Sequence, residues 1–257
     1  MAAVRIDQPD EADGRAGDGA GTPHANEARD AGAAAGSGDA GRVRAVPAAP
    51  AGEHEAYRAR VDAVFRAHAI DQAYDRVREI ERGTVTPAMK RIEAEDPERR
   101  LAGLENSLKG KDRLTEKVAK MVTELGHPAE QAIGLVKDAI RYTFCYPEAR
   151  YANGVDADCE RLQNAGFRLV DRENSWTAEQ YKGINSRWRE PESGQLFEVQ
   201  FHTQPSLDAK EGTHWAYEKL RVGVPTPAEQ RELEDFQKQV TARIPVPPGA
   251  TGIPDYP

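Results

Sequence analysis

The chain has 257 residues, 39% of them hydrophobic and 30% charged, with a formal net charge of −8. That is enough chain for one ordinary domain with a real core. The acidic balance excludes general polyanion binding, so nucleic acid or an acidic membrane would need a local basic patch.

No apolar run reaches the roughly 20 residues of a membrane helix, and the chain opens without the basic-then-apolar pattern of a secretory signal. The compartment therefore stays open between cytoplasm and export. The two cysteines, Cys145 and Cys159, are too few for a disulfide framework or a zinc site. They read as two buried free thiols, or as one bridge in an exported protein.

Residues 1–52 are Ala, Gly, Asp and Pro with hardly an aromatic. Such a segment cannot bury enough apolar surface to offset its ordering, and it reads as a disordered tail. From Glu53 the residues Tyr57, Val61, Val64, Phe65, Tyr74, Val77 and Ile80 recur at helical spacing, with Gly83 as the stop. Thr86-Pro87 and Asp96-Pro97 each have the form of a helix start. Residues 53–103 thus read as a helical extension.

The body of the domain follows over residues 104–244. Asp112 precedes the helical run RLTEKVAKMVTELG, which Gly126 ends, and a short helix follows Pro128. DAIRYTFCY reads as a strand over residues 139–146, and a helix covers residues 156–164. FRLVDRE, YKGINSRWRE and LFEVQFHT are three further strands, the last two joined by the turn PESG. SLDAKEGTHWAYEKLR and PAEQRELEDFQKQV are helices, and the Pro-rich residues 245–257 stop regular structure. The pattern predicts an α+β domain, a small mixed sheet flanked by helices.

Three features could carry chemistry. Lys109, Lys111, Arg113 and Lys117 gather around Gly110 at a helix start, which suits a polyphosphate and equally suits a solvated charged helix end. Asp138 sits where helix gives way to strand, three residues before Arg141. There a carboxylate serves as a cap or as a magnesium ligand.

In EVQFHT the period of two puts Glu198, Gln200 and His202 on one face of the strand and Val199, Phe201 and Thr203 on the other. The apolar face points to the core, and the polar one to a cleft, another surface or water. The strand before it adds Tyr181, Lys182, Asn185, Arg187 and Arg189. On the helix after it Glu211 and His214 lie on one side, as a pair expected to support the strand.

In their order these pieces resemble the synthetase domain of the RelA/SpoT-type alarmone synthetases, over residues 104–221. Lys109 and Lys117 keep the eight-residue interval of that family's basic ATP-binding element. QYKGIN is similar to its tyrosine motif, EVQFHT to its E-V-Q-I-R-T strand, and AKEGTHWAYEK to its A-E-x-G and A-H-W-x-Y-K helix.

The resemblance implies a nucleotidyltransferase-like alarmone synthetase fold and transfer of pyrophosphate from ATP to the 3′-hydroxyl of a purine nucleotide. It implies Lys109, Arg113, Lys117 and Arg141 on the ATP phosphates, and Asp138 and Glu198 on Mg2+ as the catalytic carboxylates, with Glu198 orienting or deprotonating the 3′-hydroxyl. Tyr181 would stack on the acceptor base, and Lys182, Asn185, Arg187 and His202 would line its site. Gln200, Glu211 and His214 would support them.

His202 stands where the family has arginine, Asn185 where it has histidine, and Thr177 where it has lysine. Asp138 is two residues closer to Arg141 than is usual. These departures place the chain nearest the small secreted pyrophosphokinases and the toxin relatives, some of which modify tRNA ends and would be paired with an immunity or antitoxin protein. For a tRNA acceptor the basic surface would be Arg58, Arg60, Arg76, Arg78 and Arg82, a series interleaved with acids. No His-Asp dipeptide of the companion hydrolase occurs. A non-catalytic nucleotide-binding domain of the same fold is the alternative of another class.

Overall fold

The computed structural model describes residues 51–257. The expected disordered tail thus lies outside the described residues, except for its last two positions, which already belong to the first helix.

That helix, α1 (Ala51–Ile80), does not stop at Gly83. It runs through a π-helical turn, Glu81–Val85, into α2 (Thr86–Ala94). The reason is Pro87. A proline inside a regular helix removes one hydrogen bond and crowds the carbonyl four residues back. Widening the preceding turn, with Thr86 N–H reaching Glu81 O, relieves that crowding. Thr86-Pro87 therefore marks a bulge in a continuous helix and not a fresh start.

Asp96-Pro97 is likewise no helix start. The Asp96 carboxylate accepts from Glu98 N–H at 3.0 Å in a turn, and the chain enters a short strand, β1 (Arg100–Ala102).

The remaining elements fall close to their expected places. They are α3 (Lys111–Leu125), closed by Gly126 in the left-handed region at φ 70°, α4 (Ala129–Gly134), β2 (Arg141–Tyr146) and α5 (Tyr151–Asn164). Then come β3 (Arg168–Asn174), β4 (Ile184–Arg189), β5 (Leu196–Thr203), α6 (Gln204–Val222) and α7 (Pro227–Thr241). Both α6 and α7 start with a threonine capping box and a proline in the first turn.

The five strands form one mixed sheet in the order β1-β2-β5-β4-β3, with β2 and β5 parallel and the other neighbours antiparallel. The register puts Tyr142, Phe144, Phe197, Val199, Phe201, Ile184 and Trp188 on one face. These side chains are all buried, together with Tyr151, Val155 and Leu162 of α5. The hydrophobic effect on this face holds the domain together, each such large side chain contributing about 1.5–3 kcal/mol.

The opposite face carries Arg141, Glu198, Gln200, His202, Asn185 and Arg187, and α6 crosses it.

The Pro-rich end is docked against the sheet edge. Tyr256 pairs with Arg172, and Asn174 donates to the Ala250 and Ile253 carbonyls at 2.8 and 2.7 Å. Ile244, Ala250 and Ile253 are buried there. Both cysteines are free and buried. No helix among the described residues is long and apolar enough to cross a membrane.

Candidate active site

The start of β2 organises the first half of the site. Leu108 bridges Ile140, with Lys109 N–H on Ala139 O at 2.9 Å and Arg141 N–H on Ser107 O at 2.8 Å. This short pairing brings Lys109 alongside Asp138.

The Lys109 ammonium donates to Asp138 Oδ2 at 2.7 Å, and Lys117 reaches in from α3 to Oδ1 at 2.9 Å. Burial alone would raise the Asp138 carboxyl, but its bonds to the two lysines outweigh that and hold it well below the usual carboxylate range. Asp138 is therefore ionised, and both lysines are partly solvated.

A buried acid anchors this corner from behind. Glu81, in the π turn, accepts from Thr86 Oγ1 at 2.5 Å and from Ser107 Oγ at 2.8 Å.

Glu198 lies across the strand pairing from Arg141, and its own N–H is on Ile140 O at 2.9 Å. Its carboxyl is half-buried and accepts at Oε1 from Gln200 Nε2 at 2.6 Å. Burial pushes it above the ordinary glutamate range against the pull of that bond and of Arg141, with Asp138 adding to the rise. Two neighbouring carboxylates thus differ in kind. Asp138 is held charged by the lysines, while burial pushes the Glu198 carboxyl up.

Beyond Glu198 the polar side of β5 is covered. Gln200 is 5% exposed and His202 0%. His202 Nδ1 faces Ser206 Oγ at 2.8 Å and Nε2 faces the Tyr181 hydroxyl at 3.0 Å, which also donates to Asn185 Oδ1 at 2.8 Å. Burial, then Lys210 and Arg141, bring the imidazole down to about 3, so it is neutral. Burial and the nearby Glu198 charge keep the Tyr181 hydroxyl protonated.

Gly183 closes this corner. Its φ is 155°, and a Cβ there would stand 2.7 Å from the His202 ring, so only glycine fits.

The structure brings Lys109, Lys117, Asp138, Arg141, Glu198 and Gln200 together, with Tyr181, Asn185 and His202 adjoining. Other expected members are engaged elsewhere. Lys182 donates to the Trp176 and Ala178 carbonyls at 2.8 and 2.7 Å, and Arg187 pairs with Asp171. Lys111 pairs with Asp71 of α1 at 2.7 Å, and Arg113 is exposed.

Glu211 and His214 are exposed and make no bond to β5. The inward side of α6 is instead Ser206, Leu207, Lys210, Thr213 and Ala216, at helical spacing. Lys210, which sequence reading passed over, is the residue that reaches the strand. On the first helix, Arg76 pairs with Glu130 and Arg78 with Asp75, so two of the five arginines of the series are engaged with acids.

No protein-family model matches the chain, and no curated protein does. Solved structures do. A Streptococcus mutans UA159 protein, smu.1046c, is 17% identical with a TM-score of 0.42, over 68% of this chain and 88% of its own. Small alarmone synthetase 1 of Bacillus subtilis, solved bound to its product pppGpp, is 17% identical with a TM-score of 0.41 over the same shares. A GTP pyrophosphokinase family protein of Streptococcus pneumoniae is 14% identical with a TM-score of 0.40, over 68% and 85%.

Proposed function

We propose that the domain transfers the pyrophosphate of ATP to the 3′-hydroxyl of a purine nucleotide, giving AMP and a nucleotide 3′-diphosphate. The observation that supports it most is the meeting of Asp138, Lys109 and Lys117 beside Glu198 and Arg141. A phosphoryl-type transfer asks a protein for positioning and charge neutralisation, and this cluster is built of little else.

Lys109, Lys117 and Arg141 bind the ATP phosphates, with Arg113 at the outer edge. The lysines leave Asp138 for the phosphates as ATP enters. Asp138 and Glu198 fit a Mg2+ ion, which takes one or two protein carboxylates and completes its shell from phosphate and water. No group of three or more His, Cys, Asp or Glu among the described residues would hold a metal without substrate. When bound, the ion neutralises charge on the transferred phosphates.

Tyr181 offers its ring to the acceptor base, with Asn185 and His202 fixing its hydroxyl. Glu198 orients the 3′-hydroxyl and takes its proton as the oxygen bonds to the β-phosphorus. The bond from that phosphorus to the α,β-bridging oxygen breaks, and AMP leaves with the electron pair.

Glu198→Gln keeps the size and hydrogen bonding of the side chain but cannot take the proton. With ATP, Mg2+ and GDP, GTP, ATP or tRNA as acceptor, the variant should release AMP about 100- to 10,000-fold more slowly. An unchanged rate would sink the assignment.

A further inference from the structure

Lys210 sits one turn into α6 beyond Ser206, and its side chain turns inward onto β5. Its ammonium donates to Gln200 Oε1 at 2.5 Å, and Gln200 Nε2 donates to Glu198 Oε1 at 2.6 Å. The three groups form a chain with one polarity. A lysine only donates and a carboxylate only accepts, so the amide between them can lie one way round and not the other.

The fold gains little from this lysine. Its ammonium forms no ion pair within 4.0 Å among the described residues, and its hydrogen-bond partner is a neutral amide. The charged groups facing it are Arg141 from β2, Glu198 from β5 and Glu211 beside it on α6. Burial, with Arg141 next to it, draws its pKa down to about 8, the mark of a cation kept where it is uncomfortable. A methionine of similar length would fill the same space without that cost.

We propose that Lys210 is a positioning residue for the reaction, which acts through Gln200 to hold Glu198 with Oε1 occupied and Oε2 turned to the 3′-hydroxyl. The proposal rests on the role given to Glu198 above. Without the ammonium, the Gln200 amide can rotate and set its carbonyl against the carboxylate. Glu198 then loses a bond and its aim, while the phosphate-binding lysines are untouched.

The test uses the full chain with ATP, Mg2+ and a purine nucleotide acceptor, and follows AMP release and the thermal melt. Lys210→Met should melt no lower than the wild type and lose about 10- to 100-fold in kcat, with KM for ATP within about 2-fold. Lys210→Arg, which restores a donor, should recover most of the loss. Gln200→Leu should fall to a similar level, and the Lys210→Met/Gln200→Leu double variant no further, because the two act as one unit.

A kcat for Lys210→Met within about 2-fold of the wild type would overturn the proposal. So would losses that multiply in the double variant, or a raised KM for ATP with kcat intact. Glu198→Gln run in parallel separates the levels. If it is inactive while Lys210→Met is normal, only this proposal fails. If it too is normal, or if the wild type releases no AMP, the reading of the site fails with it.

Discussion

Around Asp138 the polar contacts are ionic and partly open to solvent, whereas around Tyr181 they are neutral and closed off. Asp138 holds two lysines within 2.9 Å. Tyr181 is held by an amide and a neutral imidazole, itself backed by Ser206 of the α6 capping box. The two regions meet at Glu198, which lies across the strand pairing from Arg141 and accepts from Gln200 of its own strand.

The difference separates two ways of preparing a site. The ionic side holds two cations against one carboxylate, partly open to solvent. The neutral side is hydrogen-bonded within itself and its own members carry no charge, the cations facing it being Lys210 and Arg141. Lys182 and Arg187, which could have supplied one, are tied to carbonyls and to Asp171.

The contrast breaks most readily on the ionic side. On the proposed reading, replacing Lys109 or Lys117 by alanine would remove one charge-assisted bond to phosphate, and each change should raise KM for ATP about 10-fold. The double variant should approach about 100-fold, with KM for the acceptor nearly unchanged. Equal rises in both constants would show that the two regions are not separate. Added salt should weaken ATP binding and leave the acceptor side almost unaffected.

The neutral side is better tested by pH. An unfolded chain takes up a proton on histidine near pH 6.5, but in the folded domain His202 does so only at about 3. Its pKa is depressed on folding, so its contribution to stability is complete above pH 6.5 and is lost progressively as pH falls from there towards 3. Between pH 7.5 and 5.5 that loss is about 1 kcal/mol. Measured denaturation should show His202→Gln flattening this part of the curve. A variant with the slope of the wild type would mean the imidazole is not buried neutral.

Much of the ionic side was legible in the sequence, because it rests on residue type and spacing. Lys109, Lys117 and Asp138 could be named before any fold was known, and so could the alternation of EVQFHT. What spacing does not show is where a long flexible side chain turns. Lys182 and Arg187 resemble ligands in a linear reading but are occupied locally, and Lys210 resembles a surface residue but reaches the strand. The inward side of α6 depends on its roll against the sheet, which depends in turn on the Thr203–Ser206 cap.

The misread elements have causes that the linear signals do not carry. Gly83 and Thr86-Pro87 carry the signals of a stop and a start, yet packing carries the helix through them as a π turn. Arg100–Ala102 is too short for any periodicity, and only its pairing with β2 makes it a strand. The final prolines end regular structure, but Ile244, Ala250 and Ile253 still find a buried place against the sheet edge. Such outcomes belong to tertiary contact and not to local propensity.

The central claim is that the two regions hold a donor and an acceptor for one reaction, and the products of ATP turnover test it most directly. The chain incubated with Mg2+, ATP and a purine nucleotide, and analysed by phosphorus NMR and mass, should give AMP and the acceptor carrying a 3′-diphosphate in equal amounts. ADP and phosphate as the only products, or bound nucleotide with no AMP at all, would contradict it.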